Sequence, residues 1–418
     1  MSFGPPPAGF GPAAPPVWTP PTEIEQALLE AKAREDWAAY FDTLADSRLY
    51  FEIRRDGADA EPSRTIPVFG HDPRVAGGRV WAVYTEGMLP APDPHRVLDW
   101  QKLGWFAKVW APTDPAMIVV NPGTPCEAFL PSAPPHSAAW AQYGARERAP
   151  LDRARVLTLR VGGPKDGPVA RGLACGALLI VRDGLAWNAM AYHGNGYTSE
   201  RRLLREWWGV GSREEWQSQQ RALLDPGGAN PVWEFALELR RTIARDFGGH
   251  VDTGYWRDAV ARVLRARAGG ETVLTPDGVT TTPTVPEAET EARIKGVQHL
   301  IGRITRYEAR FRADGLLDGN RYVSSVDAWN FGRASGMARW GLGARYCSLP
   351  EAEAAVVEAG RAAARSYKSW QDFAAGYILG RCLHFDDEEF GNWYTDMVDV
   401  HRVLMSDPES PWLTVSFR

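Results

Sequence analysis

Two stretches with helical spacing each carry an arginine within an aromatic or apolar stripe. The first stripe repeats at i, i+4, i+8 and i+11 and comprises Trp329, Arg333, Met337 and Trp340. The second has the same spacing and comprises Phe373, Tyr377, Arg381 and His384. Residues at these intervals share one face of a helix. Two guanidinium groups brought together on neighbouring helices could clamp a carboxylate or a phosphate, because each presents a planar fork of donors.

A guanidinium group drawn into a buried stripe needs hydrogen-bond partners, because burying it alone costs several kcal/mol. Asp327, Asn330 or backbone carbonyl groups are expected to supply them, and Gly376 and Gly380 leave a smooth flank for close approach of another helix. The candidate polar set therefore comprises Asp327, Asn330, Arg333, Tyr377, Arg381 and His384.

This polar set has two interpretations. The first is a structural network that fixes the register of packed helices, which is the commoner role of buried ion pairs at helix crossings. The second is a pocket in which Arg333 and Arg381 bind a carboxylate or phosphate while His384 or Asp327 transfers a proton.

Eighteen tryptophans are an unusually high number for a chain of 418 residues. Buried tryptophans pack in cores with one polar edge satisfied, whereas exposed clusters mark interfaces. The candidate interface or core aromatics are Trp207, Trp208, Trp329, Trp340, Trp370 and Trp412.

The remaining candidate motifs for metal binding, phosphate binding and catalysis are better explained by structural roles. The acidic run at 386–389, with Asp396, Asp399 and His401 beyond it, could supply oxygen and imidazole ligands for a divalent cation. Its spacing matches neither the EF-hand nor the HExxH motif, however, and is more typical of a solvated loop. The turn at 193–196 lacks the strand and helix context of a phosphate-binding loop. No nucleophile elbow, kinase, P-loop or Rossmann signature occurs. We therefore assign no catalytic residue, metal or cofactor from the sequence.

Composition narrows the class of protein. The formal charge of −5 disfavours generic nucleic-acid binding, and no apolar run approaches the length that a bilayer requires. Four widely spaced cysteines, without a CxxC pair, are expected to be reduced and mostly buried. The N-terminus lacks a signal peptide, so we expect a cytoplasmic location.

The first part of the chain is predicted to form a small mixed α/β domain. Residues 1–21 form a proline-rich leader, which we expect to be disordered. A helix at about 22–45, strands at 49–54, 65–69, 79–84 and 117–120, and a helix near 94–110 follow, with a further strand at 155–161. The irregular stretch 133–168 is expected to contain the boundary, so this domain spans 22–165.

The second part, residues 170–418, carries mainly helical signals. Capping motifs precede apolar periodic runs at Ser212, Asn230 and Ser348, and Thr198 or Ser199 is the expected cap of an earlier helix. A Thr- and Pro-rich insertion at about 268–290 lacks periodicity and is expected to be a flexible loop. The fold class is therefore α+β, with a larger helical C-terminal domain.

Short segments in both parts resemble known families. Residues 49–53 (LYFEI), 83–90 (VYTEGMLP) and 118–130 (IVVNPGTPCEAFL), in this order, resemble the SseB N-terminal domain over about 22–135. Residues 205–210 (REWWGV), 327–341, 369–381 and 407–412 (DPESPW) resemble the bacterial domain-of-unknown-function family 1266 over about 170–418. The resemblance implies an intracellular bacterial accessory or interaction protein, with toxin neutralisation or secretion support as possible settings.

The absence of enzyme motifs and the abundance of aromatic residues favour a protein-interaction role, with another protein as the partner. An enzyme or a small-molecule sensor that uses the arginine set is the alternative.

Overall fold

A computed structural model describes residues 18–62, 65–146, 155–190, 194–249, 251–269, 272–275, 278–281, 285–319 and 321–418. Most of the predicted leader, residues 1–17, lies outside the described residues. The first part of the chain contains, in order, α1 (Glu23–Ala33), α2 (Trp37–Asp46), β1 (Leu49–Arg54), α3 (Arg55–Ala60), β2 (Gly70–His71), β3 (Arg79–Val83), β4 (Arg96–Gln101), α4 (Leu103–Val109), β5 (Met117–Val120), β6 (Ala128–Pro131) and α5 (Pro134–Ala145).

The strands of this part form two small sheets. Four strands are ordered β2-β3-β5-β6, with β3 and β5 parallel and the outer pairs antiparallel. The other sheet pairs β1 with β4 along their whole length, from Leu49 opposite Gln101 to Arg54 opposite Arg96. A bridge between Tyr50 and Tyr84 connects β1 to the end of β3. The sheets therefore meet over one apolar core, to which Phe51 and Trp81 contribute.

The single helix predicted at 22–45 is wrong, because two helices occupy this stretch. Thr22 caps α1 through the N–H of Ile24, as its capping signal predicts. The backbone then turns at Glu35, which has a φ of 57°, and Asp36 caps α2 through the N–H of Ala39. The apolar residues keep their helical spacing through this turn. The spacing therefore predicts one helix where the structure has two.

The helix predicted near 94–110 is partly wrong. Residues 96–101 form β4, and only Leu103–Val109 is helical. Pairing with β1 provides hydrogen-bond partners for the backbone groups of β4 along its length. Such tertiary pairing overrides a local helical preference.

The stretch 133–168, predicted to be irregular, contains helix α5. Its prolines occupy the first helical turn, where a missing N–H costs nothing. Trp140 is fully buried on this helix, and Gly144 packs against Gly104 of α4. The strands predicted at 65–69 and 155–161 are reduced to single bridges, Ile53 with Pro67 and Leu157 with Ala186.

The second part is mainly helical, so the chain as a whole is α+β. Its elements are α6 (Gly167–Cys175), α7 (Ala177–Arg182), α8 (Tyr197–Trp208), α9 (Arg213–Leu224), α10 (Pro231–Asp246), α11 (Thr253–Ala268), β7 (Thr272–Thr275), β8 (Gly278–Thr281), α12 (Glu287–Ala313), α13 (Asp327–Gly343), α14 (Leu349–Ser366), α15 (Trp370–Phe385), α16 (Asn392–Leu404) and α17 (Pro411–Thr414). Within the predicted insertion, β7 and β8 form an antiparallel hairpin.

Three caps of the second part are those that the sequence predicts. Ser212 and Asn230 accept backbone N–H groups of the helices that follow them, and Ser348 forms a capping box with Glu351. The cap predicted at Thr198 or Ser199 is wrong, because α8 already begins at Tyr197. The side chain of Asp99, from β4, accepts the N–H of Thr198 at 3.0 Å instead.

Helix α13 lies at the centre of the second part and is buried on nearly every side. It packs against α6, α9, α14 and α15. Its alanines and glycines permit this crowding, since small side chains let neighbouring backbones approach. All four cysteines are buried and free, as the sequence predicts.

The two parts of the chain contact each other through polar groups. Arg48 donates to the carbonyl groups of Asp183 and Gly184 at 2.6 Å each, and Glu86 accepts the N–H of Ala186 at 3.0 Å. Leu157, Ala186 and Tyr197 join the N-terminal core cluster. None of the helices in the described ranges is long and apolar enough to cross a membrane.

Candidate functional site

The site that contains most of the predicted polar residues lies where α13 and α15 cross. A Cβ on Gly332 would lie 2.5 Å from the ring of Tyr377, and a Cβ on Gly380 would lie 2.9 Å from the Cβ of Trp329. Each glycine therefore makes room for an aromatic residue of the other helix. This close crossing brings Arg333 of α13 near Arg381 of α15.

Arg333 lies between two tryptophans. Its guanidinium carbon is 3.4 Å from the centroid of the Trp329 ring and 5.3 Å from that of Trp208, and Nη2 donates to Asn330 Oδ1. Its Nε is buried and has no hydrogen-bond partner within the described ranges. Burial lowers the pKa of Arg333 to about 10, and the charge of Arg381 contributes to the same shift.

Arg381 is 5% exposed and has a similar aromatic environment. Its guanidinium carbon lies 4.8 Å from the Trp393 ring centroid and 5.8 Å from that of Phe385, and Nε donates to the Trp393 carbonyl at 3.4 Å. The charge of Arg381 also acts on Asp183, whose pKa is nevertheless raised by burial. Within the described part of the chain, neither Arg333 nor Arg381 forms an ion pair with a carboxylate.

Tyr377 and His384 complete the crossing. Tyr377 is fully buried, and its hydroxyl has no hydrogen-bond partner among the described residues. Burial raises its pKa, while the charges of Arg381 and Arg333 oppose the shift. His384 is exposed and lies 5.0 Å from the Trp329 ring centroid. Burial of part of the ring and the charge of Arg333 lower the pKa of His384.

Together these side chains form a continuous row that we call the arginine–aromatic face. Its members are Trp208, Trp329, Arg333, Arg381, His384, Phe385 and Trp393. Two positive charges without carboxylate partners and several aromatic rings suit it to bind a group that is anionic, aromatic or both.

Some predicted site residues lie elsewhere. Asp327 is six residues before Arg333, about 9 Å along the helix axis, and its carboxylate accepts the N–H of Gly227. Trp340 borders the arginine–aromatic face without belonging to it, with its ring centroid 6.0 Å from that of Trp208. Trp370 and Trp412 stack on each other in the core and donate to backbone carbonyl groups. Trp207, by contrast, is 71% exposed.

Asp327 belongs to a second site, which we call the polar cleft. It has a volume of 830 Å³ and lies between α10, the segment 321–327 and the end of α14. Burial raises the pKa of Glu234, as does the neighbouring charge of Asp327, and burial also raises the pKa of Asp327. Sequence reasoning missed Glu234, although its place in the first turn after the Asn230 cap was a usable signal.

The acidic run at 386–389 was expected to be a solvated loop, and Asp386 departs from this expectation. It is buried and accepts hydrogen bonds from the Tyr307 hydroxyl at 2.8 Å and from the N–H groups of Phe390 and Gly391 at 3.0 Å. Among the described residues, no three His, Cys, Asp or Glu side chains are grouped to hold a metal ion.

Comparison with known proteins gives one match. The family model described as "Protein of unknown function (DUF1266)" matches residues 203–417, which include α13, α15 and both sites. No curated protein and no solved structure matches the chain. The matched segment makes up just over half of the 418 residues. The chain therefore belongs to the DUF1266 family.

Proposed function

We propose that this chain is a cytoplasmic bacterial interaction protein that binds an acidic segment of a partner protein at the arginine–aromatic face. The observation that carries the proposal is the pairing of Arg333 and Arg381 with aromatic rings in place of carboxylates. An acidic segment would supply the missing counter-charges, and the rings would bury its apolar side chains.

The exposure of tryptophans supports a contact surface at this place. Trp393, a member of the face, is 38% exposed, and Trp207 adjoins Trp208 in the chain. Tryptophan and arginine are the residues most enriched among binding hot spots. Most other tryptophans of the described chain are buried or half-buried, so exposure is confined to a few positions.

The N-terminal part enters the proposal through its resemblance to the SseB N-terminal domain. The three resembling segments fall on β1, on the last residue of β3 with the turn after it, and on β5 with β6. β3, β5 and β6 are neighbours in one sheet, and a single bridge between Tyr50 and Tyr84 links β1 to the end of β3. Toxin neutralisation or support of a secretion system would be consistent settings for such an accessory protein.

Site-specific photo-crosslinking in the bacterial cell tests the proposal. A photoreactive amino acid at position 207 should capture a partner, whereas the same group at position 37, another exposed tryptophan in the N-terminal part, should not. A peptide that copies the acidic segment of the captured partner should bind the wild-type chain in a salt-dependent manner and lose binding to the Arg333→Met variant. Equal capture from both positions, or no capture, would contradict the proposal.

A small-molecule sensor is the second candidate function, and one specific observation favours it. The Tyr377 hydroxyl and the Arg333 Nε are both buried, and neither has a hydrogen-bond partner among the described residues. A small carboxylate could satisfy both groups. Mass spectrometry of the purified chain would then show a bound metabolite that an Arg333→Ala, Arg381→Ala double variant lacks, with no partner protein captured at position 207.

A further inference from the structure

The polar cleft is separate from the arginine–aromatic face and is lined mainly by charged side chains. Five of them are cationic: Arg241, Arg245, Arg321, Arg365 and Lys368. Four carboxylates face them. A cleft of 830 Å³ is large enough for a small organic ligand and larger than a single phosphate ion needs.

The floor of the cleft holds two carboxyl groups, that of the buried Asp327 and that of the half-buried Glu234. Glu234 Oε1 accepts hydrogen bonds from the Ser325 hydroxyl at 2.9 Å and the Val326 N–H at 2.6 Å. Both oxygens of Asp327 accept the N–H of Gly227, at 3.2 and 3.0 Å. The floor therefore presents carboxyl oxygens whose remaining lone pairs can accept hydrogen bonds from a hydroxyl group.

The rim supplies positive charge without internal partners. The side chains of Arg245, Arg365 and Lys368 form no ion pair or hydrogen bond with any residue that the structure describes, and all three are exposed. Of the rim carboxylates, Asp372 already accepts the N–H of Lys368 at 3.0 Å. Free cations around a concave surface attract phosphate groups.

A serine hydroxyl group lies between the floor and the rim of the cleft. The Ser324 hydroxyl lines the cleft, and its oxygen is buried without a hydrogen-bond partner among the described residues. Arg241 donates to the carbonyl group of the same residue, which holds this segment in place. A ligand group with both donor and acceptor character would satisfy the serine hydroxyl.

We propose that the polar cleft binds a sugar phosphate, with the phosphate at Arg245, Arg365 and Lys368 and the hydroxyl groups at Glu234 and Asp327. A free phosphate fits less well, because the floor carboxyl groups repel an anion and attract hydroxyl donors. A nucleotide fits less well, because the aromatic ring of the described lining, Tyr322, already lies 4.6 Å from the Arg240 guanidinium.

Isothermal titration calorimetry on the full chain tests this inference. The probes are glucose 6-phosphate, ribose 5-phosphate, glycerol 3-phosphate, inorganic phosphate and glucose. At least one sugar phosphate should bind about tenfold more tightly than inorganic phosphate, and glucose should not bind. Failure of all three organic phosphates, or equal binding of inorganic phosphate, would overturn the proposal.

Variants on one helix locate the site. Arg365→Ala should weaken sugar-phosphate binding about tenfold, whereas Arg361→Ala should not, since Arg361 lies outside the cleft and pairs with Glu358. Equal losses in both variants would refute the assignment. Trp207→Ala should retain sugar-phosphate binding, which separates this inference from the proposed protein-binding function.

Discussion

Arg240 and Glu308 form a two-pronged ion pair inside the helical part of the chain. The two guanidinium nitrogens lie 2.9 and 2.7 Å from the carboxylate oxygens, and both residues are buried. The carboxylate also accepts the N–H of Val323 at 2.8 Å, while Arg240 donates to the Val323 carbonyl at 2.7 Å. This pair therefore joins α10 and α12 to the segment that lines the polar cleft.

Removing one member of this pair should be costly. Glu308→Gln leaves a buried guanidinium without its counter-charge, and we expect a loss of about 3 kcal/mol in the free energy of unfolding. The double variant Arg240→Met, Glu308→Leu should recover most of that loss. Urea unfolding followed by circular dichroism measures both, and a double variant no more stable than the single one would contradict this account.

Asp386 should contribute more to stability than its neighbour. Asp386→Asn replaces one of the two carboxylate oxygens, which accept the Tyr307 hydroxyl and the N–H groups of Phe390 and Gly391, by an NH2 group that cannot accept them. We therefore expect the chain to lose about 2 kcal/mol of stability. Asp387→Asn, with a side chain that is 88% exposed, should change little. The urea concentrations at the unfolding midpoints of the two variants measure this difference in stability. Similar midpoints would refute the prediction.

Two glycines should respond oppositely to alanine. A Cβ on Gly172 of α6 would overlap the Val356 carbonyl of α14, so Gly172→Ala should cost about 2–3 kcal/mol. A Cβ on Gly296 would have no atom of the described residues within 4 Å apart from the backbone of its own helix, and α12 should gain about 0.5–1 kcal/mol from Gly296→Ala. Thermal unfolding of the two variants should therefore shift in opposite directions.

Glu200 should make stability fall as pH rises. It is 1% exposed, and burial raises its pKa to about 7, although the Asn195 N–H and the charge of Arg339 act the other way. The folded chain therefore keeps a proton that the unfolded chain releases above about pH 4.5. The free energy of unfolding should decrease by up to about 3 kcal/mol as pH rises from about 4.5 through 7.

The Glu200→Gln variant isolates this contribution. It should remove most of the decrease between pH 5 and pH 8, because glutamine does not titrate. Glu206→Gln, on the exposed side of the same helix, serves as the control and should keep the wild-type profile. Urea unfolding at several pH values provides the readout, and an unchanged slope in Glu200→Gln would disprove the assignment.

Helix caps of the second part could be predicted from the sequence. Ser212, Asn230 and Ser348 act within four residues of their partners, so neighbouring residue types suffice to identify them. The N-cap function for α8 was missed because Asp99, which supplies it, lies about a hundred residues earlier in the chain. No local pattern encodes such a partner.

The arginine–aromatic face also combines features that local sequence predicts with contacts that only the tertiary structure shows. Helical spacing alone brings Trp329 and Arg333 onto one side of α13, and likewise Tyr377 and Arg381 onto one side of α15. Which groups meet the arginines depends on how the helices cross. Spacing gave Asp327 as a candidate partner for Arg333, but the fold directs this carboxylate to the loop before α10.

The sequence by itself determined the α+β class, the order of most helices and the two arginine-bearing stripes. These follow from local spacing and capping, because they involve residues within a few turns of each other. Tertiary structure decided that β4 is a strand, that Asp386 is buried and that Glu234 joins Asp327 in the polar cleft. Strand pairing, burial and pKa shifts arise from contacts between distant segments, whose energies outweigh local preference.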